Sequence, residues 1–228
     1  RPLLEGDRYA LRLRDRRVER VSRAYREFEF HVVYHELLQF CTVTLSAFYL
    51  DVLKDRLYCS AAASEERRSA QTVLYRLADA LVRVMAPILP FTAEEVWKHL
   101  PERETPSVHM ARFPAPSGLS EEGLPARGES LRALRDQVNK ALEEARQGGM
   151  IGKSLEAAVE LAPADPAARA LCEAYASWLP SLFIVSAVRL AESGEGRPEV
   201  TVSPAPGVKC ARCWTVTASP AAGEGGPL

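Results

Sequence analysis

Residues 7–58 contain neither proline nor glycine. A stretch that long without a breaker is a commitment to helix if its apolar residues recur at helical spacing, and they do. Leu11, Val18, Val21, Tyr25 and Phe28 predict a first helix over residues 7–28. Over residues 31–58, Leu37, Leu38, Cys41, Leu45, Phe48, Tyr49, Val52 and Leu53 make a broad apolar face suited to the middle of a bundle, long enough that a bend is expected. Ser64 is placed to cap a third helix carrying Val73, Leu77, Leu81 and Val84, with Pro87 and Pro90 as terminators. In "PFTAEEVWKHLP", Thr92 stands three residues before Glu95, the spacing of a capping box, with Phe91 and Val96 at staple positions and Pro101 as the end of a fourth helix.

The pattern then changes. Residues 101–128 hold five prolines and three glycines, a density that disfavours regular structure apart from an extended piece around "SVHMARFP". Leu131, Leu134, Val138, Leu142 and Ala145 predict another amphipathic helix, stopped by "QGGM". Strands are expected in "SLEAAVEL", "SLFIVSAVRL" and "EVTVS", with a helix over residues 166–178 between the first two. The expected fold is mainly α: a helical bundle over residues 1–100, a linker over 101–129, a small α+β domain over 130–206, and a cysteine-bearing segment over 207–228.

Composition narrows the function classes. A 228-residue chain with 47% hydrophobic and 26% charged residues can bury one sizeable core or two modest ones. The formal net charge of -1 conceals a basic start, with nine arginines against six acids in residues 1–30, so a local nucleic-acid face stays open. Five scattered cysteines with no signal peptide ahead of them suggest a reducing, cytoplasmic setting and no membrane. The start at Arg1 suggests an excised fragment.

"VKCARCW" carries the sharpest chemical signal. Cys210 and Cys213, separated by two residues, are spaced to reach one metal ion from a tight turn. They supply two of the four ligands a closed zinc site needs, so a zinc half-site, a redox pair and a chance spacing all stay open. "GGMIGKS" at residues 148–154 lacks the first glycine of a phosphate loop, its place being taken by Gln147, and runs from helix to strand instead of strand to helix. His31 and His35 share a helix face without a third ligand. Arg8, Arg12, Arg16, Arg20 and Arg23 drift slowly around the first helix, either as a phosphate-contacting stripe or as a solvated face paired with Glu5, Glu19 and Glu27. No nucleophile with a base, paired catalytic carboxylates or dinucleotide fingerprint can be defended from spacing, so the chain by itself is not expected to be a catalyst.

"EFEFHVVYHELLQFCTVTLSAFYLDVLKDRLY" and "VLYRLADALVRVMAPILPFTAEEVW" resemble the anticodon-binding helical bundle of class I aminoacyl-tRNA synthetases for branched aliphatic amino acids. "ALEEARQGGMIGKSLEAAVEL", "LFIVSAVRL" and "VKCARCW" resemble, more narrowly, the C-terminal region of bacterial isoleucyl-tRNA synthetases. The resemblance implies a monomeric, cytoplasmic ligase. Its ATP, Mg and nucleotide-site motifs belong to catalytic and editing domains upstream of this chain, and its tRNA(Ile) anticodon arm is gripped by the present part. It also implies that Cys210 and Cys213 are half of a structural zinc site whose second pair lies beyond Leu228, so that the half-site is expected to be unoccupied in this chain. Arg212 and Trp214 become candidates to meet an unstacked anticodon base, and Lys54 and Arg56 weaker candidates for backbone contact, since "VLKDRLY" can equally serve packing and ion pairing. The alternatives are the related valine or leucine enzyme bundle, or a helical protein-interaction module without RNA affinity.

Overall fold

A computed structural model describes residues 3–119, 121–163, 165–192 and 199–218. The chain divides into two compact units, Arg1–Pro125 and Ala126–Leu228.

In the first unit, α1 (Glu5–Arg26) carries acids in its first turn and arginines in its last, the arrangement the helix dipole favours. Its inner face of Leu11, Val21 and Ala24 is buried. A left-handed residue, Phe28 (φ 59°), turns the chain into α2 (Phe30–Gln39). That helix continues through a π-helical stretch (Phe40–Leu50) into α3 (Asp51–Tyr58). The expected bend is thus realised as a change of helical pitch, and the run stays continuous. Its wider turns bury Phe40, Leu45, Phe48 and Tyr49. Phe30–Tyr58 is also long and apolar enough to cross a membrane, but half of that window is buried inside the structure, as for a core helix.

Next comes α4 (Glu65–Met85), capped as expected by Ser64, whose hydroxyl accepts from the Arg67 N–H at 3.3 Å. Val21, Ala24, Val33, Leu37 and Val84 form the shared core of α1, α2 and α4.

The fourth helix corrects the sequence reading: α5 (Pro90–His99) starts before Thr92, with Leu89 as N-cap and no side-chain cap. Pro90 explains this, because its fixed φ and missing N–H suit the first helical position. Thr92 therefore lies inside the helix and Phe91 is 89% exposed, so no staple forms. The presumed linker also folds onto this unit. The Trp97 indole donates to the Thr105 carbonyl at 3.0 Å, Ser107 donates to Glu94 at 2.8 Å, and Val108 is buried with Val82, Ala86, Ala93 and Trp97. The expected extended piece is a 3-10 turn over Val108–Met110. Sequence composition marked residues 101–128 as irregular; from Leu124 onward they are helical, and the irregular backbone before that is packed all the same over residues 101–119.

In the second unit, α6 (Leu124–Gln147) begins earlier than expected. It ends at Gly149 (φ 72°), where Met150 N–H reaches the Ala145 carbonyl at 2.9 Å and Gly149 N–H the Arg146 carbonyl at 3.0 Å. A three-stranded sheet follows in the order β2-β1-β3. Central β1 (Ala157–Leu161) pairs in parallel with β2 (Ala187–Leu190) and antiparallel with β3 (Val200–Pro204). The crossover between the parallel strands contains α7 (Pro166–Ala174) and α8 (Leu179–Phe183). Part of "SLFIVSAVRL", expected as strand, is thus helical until left-handed Ile184 (φ 58°) releases the chain into β2. Ala157, Val159, Leu161, Leu179, Leu182 and Phe183 are buried. A second, two-stranded sheet pairs β4 (Val208–Lys209) with β5 (Val216–Thr217) and carries the cysteine motif between its strands.

Candidate nucleic-acid interface

The hairpin is built around a narrow turn. Gly207 (φ 127°) opens it, and a Cβ there would collide with the Thr217 carbonyl, which restricts the position to glycine. Cys210 N–H donates to the Thr215 carbonyl at 2.9 Å, and Trp214 N–H donates to the Cys210 carbonyl at 3.0 Å. Trp214 adopts a left-handed conformation (φ 66°) and leaves its ring 54% exposed. Within this turn the backbone N–H groups of Cys213 and Arg212 donate to the Cys210 sulfur, and the Cys213 side chain does so too. Together with the nearby Arg212 charge, these bonds pull the Cys210 thiol below its ordinary pKa. The turn therefore favours a thiolate, the form that ligates metal. Among the described residues, however, no group of three or more His, Cys, Asp or Glu converges, so Cys210 and Cys213 provide two ligands only.

Three contacts hold the hairpin against its own unit. Val216 N–H donates to Ser186 Oγ at 2.7 Å, and that hydroxyl donates to the Leu155 carbonyl. Lys209 Nζ lies 3.5 Å from Glu156 Oε1. Lys153 Nζ stands 5.1 Å from the centroid of the Trp214 ring, with Lys209 Nζ at 6.0 Å, so two ammonium groups sit beside an exposed aromatic. Arg212 is exposed in the turn. Sequence reasoning singled out Arg212 and Trp214 as candidates and did not name Lys153 or Lys209, which the fold brings beside Trp214. Lys153 is distant in sequence, and two-residue strands have no periodicity that would announce a hairpin.

In the bundle, the structure separates the two α3 candidates. Lys54 is exposed and pairs with Asp51 at 2.7 Å on the same helix. Arg56 is buried. Its guanidinium donates to Asp7 at 2.6 and 3.1 Å and to the Glu66 carbonyl at 2.7 Å, while Asp7 also accepts from the Tyr49 and Ser69 hydroxyls. Burial, and then the Asp7 charge, push the Tyr49 phenol far above its ordinary pKa. Arg56 thus serves the packing and ion-pairing alternative; its charge faces a carboxylate and no surface. The arginine stripe is partly spent in the same way, Arg8 on Glu121 at 2.8 Å and Arg20 on Glu36 at 2.7 Å. His31 and His35 are both exposed, His35 against Tyr34 at 5.1 Å between ring centroids. "GGMIGKS" runs from α6 through a 3-10 turn (Ser154–Glu156) to β1, the direction that excludes a phosphate loop.

Residues 7–161 match the family described as the anticodon-binding domain of tRNA ligase. The chain is 45% identical over 226 residues to an isoleucine–tRNA ligase of Syntrophotalea carbinolica, covering 95% of this chain and 24% of that protein. It is 46% identical over 222 residues to one of Geobacter sulfurreducens, covering 93% and 24%, and 45% identical over 226 residues to one of Geobacillus thermodenitrificans, with the same shares. The chain thus spans about a quarter of the length of these relatives.

Proposed function

The chain belongs to the anticodon-binding domain family of tRNA ligases, and on that premise we propose that it is the part of an isoleucine–tRNA ligase that grips the anticodon arm of tRNA(Ile). The observation that carries the reading is the match over residues 7–161, joined by a similarity to isoleucine–tRNA ligases that extends through the second unit. Ligation of isoleucine with ATP and Mg, and the editing of misactivated valine, would be the work of other domains of the same polypeptide, to which this chain presents the tRNA.

The geometry of the hairpin suits that task. An exposed indole on a stiff turn offers a face on which an unpaired base stacks, as single-stranded RNA recognition requires, and the adjacent Arg212 offers a planar donor set for a base edge or phosphate. Cys210 and Cys213 fit two positions of a zinc site, with Cys210 already predisposed to ionise, and further ligands would come from outside the described residues. Bound zinc would supply a cross-link that holds the turn rigid.

The test is titration of the chain with a synthetic tRNA(Ile) anticodon stem-loop across a salt series. Salt-sensitive binding that weakens on Trp214→Ala supports the reading. Absence of binding, both in this chain and in one extended by a second cysteine pair, defeats it in favour of a protein-interaction module.

A further inference from the structure

We infer that Lys153, from the turn after α6, belongs to the same RNA-contacting surface as Trp214, and that Glu156 is the positioning residue that holds the two segments together; the inference rests on the anticodon-arm reading above. Glu156 Oε2 accepts the N–H groups of Gly152 and Lys153 at 3.0 and 3.1 Å, which folds residues 152–156 into a closed turn. Its other oxygen, Oε1, lies 3.5 Å from Lys209 Nζ on β4. One carboxylate thereby links the turn that carries Lys153 to the strand that leads into the cysteine turn. Its own pKa is lowered by those same contacts, the Gly152 and Lys153 amides first. The outcome is Lys153 Nζ at 5.1 Å and Lys209 Nζ at 6.0 Å from the Trp214 centroid, with the ring still open to solvent.

An aromatic face with ammonium groups at its border matches the chemistry of a nucleotide in single-stranded RNA: the base stacks while its flanking phosphates meet the cations. A paired helix keeps its bases stacked on one another and cannot use the indole. "GGMIGKS" therefore contributes a lysine to an RNA surface without forming a phosphate loop. The glycine-lysine sequence matters because Gly152 and Lys153 supply the adjacent amides that Glu156 gathers.

The test uses the 228-residue chain, a synthetic anticodon stem-loop and a blunt-ended RNA duplex of the same number of nucleotides, with dissociation constants measured over a salt series. Lys153→Gln is expected to weaken stem-loop binding about three- to tenfold and to lower the salt slope by about 0.7, with little effect on the duplex. Glu156→Ala is the discriminating variant. A carboxylate that merely sat near RNA would repel phosphate, so removing it would tighten binding. A positioning carboxylate releases Lys153 and Lys209, so removing it weakens binding to the level of Lys153→Gln. Glu156→Gln retains an oxygen for the two amides and is expected to recover most of the loss. Lys153→Gln binding within twofold of wild type, or tighter binding by Glu156→Ala, overturns the inference. If either occurs while Trp214→Ala still weakens binding, the anticodon-arm reading stands alone. If neither the wild-type chain nor one extended by a second cysteine pair prefers the stem-loop, that reading falls and takes the inference with it.

Discussion

Arg56 in the bundle and Lys153 beside the hairpin are both cations held near a carboxylate, yet they do opposite work. Arg56 is surrounded by Asp7, Tyr49 and the Glu66 carbonyl and reaches no solvent-facing ligand. Lys153 is exposed, and the neighbouring carboxylate binds its backbone N–H, leaving the ammonium free to lie over Trp214. In the first case the carboxylate consumes the charge; in the second it aims it. A basic residue in a nucleic-acid-binding chain is therefore informative only once its counter-charge is known.

The largest test of that contrast is Asp7→Ala. It leaves the Arg56 guanidinium buried without its partner, a situation that typically costs about 3–5 kcal/mol. The expected result in urea unfolding followed by circular dichroism is a lower midpoint for the transition of the first unit. RNA affinity measured below that midpoint should be unchanged. A surface role for Arg56 would give a different result: small loss of stability and, with the competing carboxylate gone, tighter RNA binding.

Trp214→Ala is the mirror image. Loss of a stacking aromatic is expected to weaken stem-loop binding by about 1–3 kcal/mol, while unfolding stays within about 0.5 kcal/mol of wild type, as is usual for an exposed site. If both variants lower stability and neither changes binding, the division between a consuming and an aiming carboxylate is wrong.

How far this division could be read from the sequence depends on the distance between partners. Helices α1, α4 and α6 were legible because their apolar stripes and the Ser64 cap are local signals. The start of α5 was misread because two local signals competed, and the fixed backbone of Pro90 outweighed the Thr92 hydroxyl. Burial of Arg56 was only an open alternative, since its partner Asp7 is 49 residues away. Cys210, Cys213, Arg212 and Trp214 could be singled out from residue type and spacing. Lys209, in the same hairpin, and Lys153, over 60 residues upstream of Trp214, could not, because only the folded sheet brings them to the ring. "SLFIVSAVRL" misled for another reason: β-branched content favoured strand, while Pro180 at the start of α8 and the tertiary crossover imposed a helix on its first three residues.

The same contrast applies to thiols. Cys210 is ionised more readily because amide N–H groups point at its sulfur, whereas burial pushes the Cys41 thiol up. A lowered folded-state pKa means that the contribution of the Cys210 thiolate to hairpin stability is present above the unfolded pKa and is lost as pH falls through the folded one. Alkylation by iodoacetamide, followed by peptide mass spectrometry over a pH series, should modify Cys210 before Cys41 and with a midpoint below the ordinary thiol value. Equal midpoints would show that the turn does not prepare Cys210 for metal.

The smallest expected effect is at Lys54, an exposed cation of the bundle. Its pair with Asp51 spans three residues on one exposed helix face, and such pairs contribute about 0.2–0.5 kcal/mol. Lys54→Ala should therefore shift unfolding by no more than about 0.5 kcal/mol. Its RNA effect decides whether Lys54 is a cation that is aimed, as at the hairpin, or one that Asp51 consumes. A backbone contact predicts weaker binding to the stem-loop and to the RNA duplex alike, because phosphates are common to both, together with a salt slope reduced by about 0.7–0.9. Trp214→Ala should instead act on the stem-loop alone. Lys54→Ala with an unchanged salt slope would remove Lys54 from the phosphate contacts of this chain.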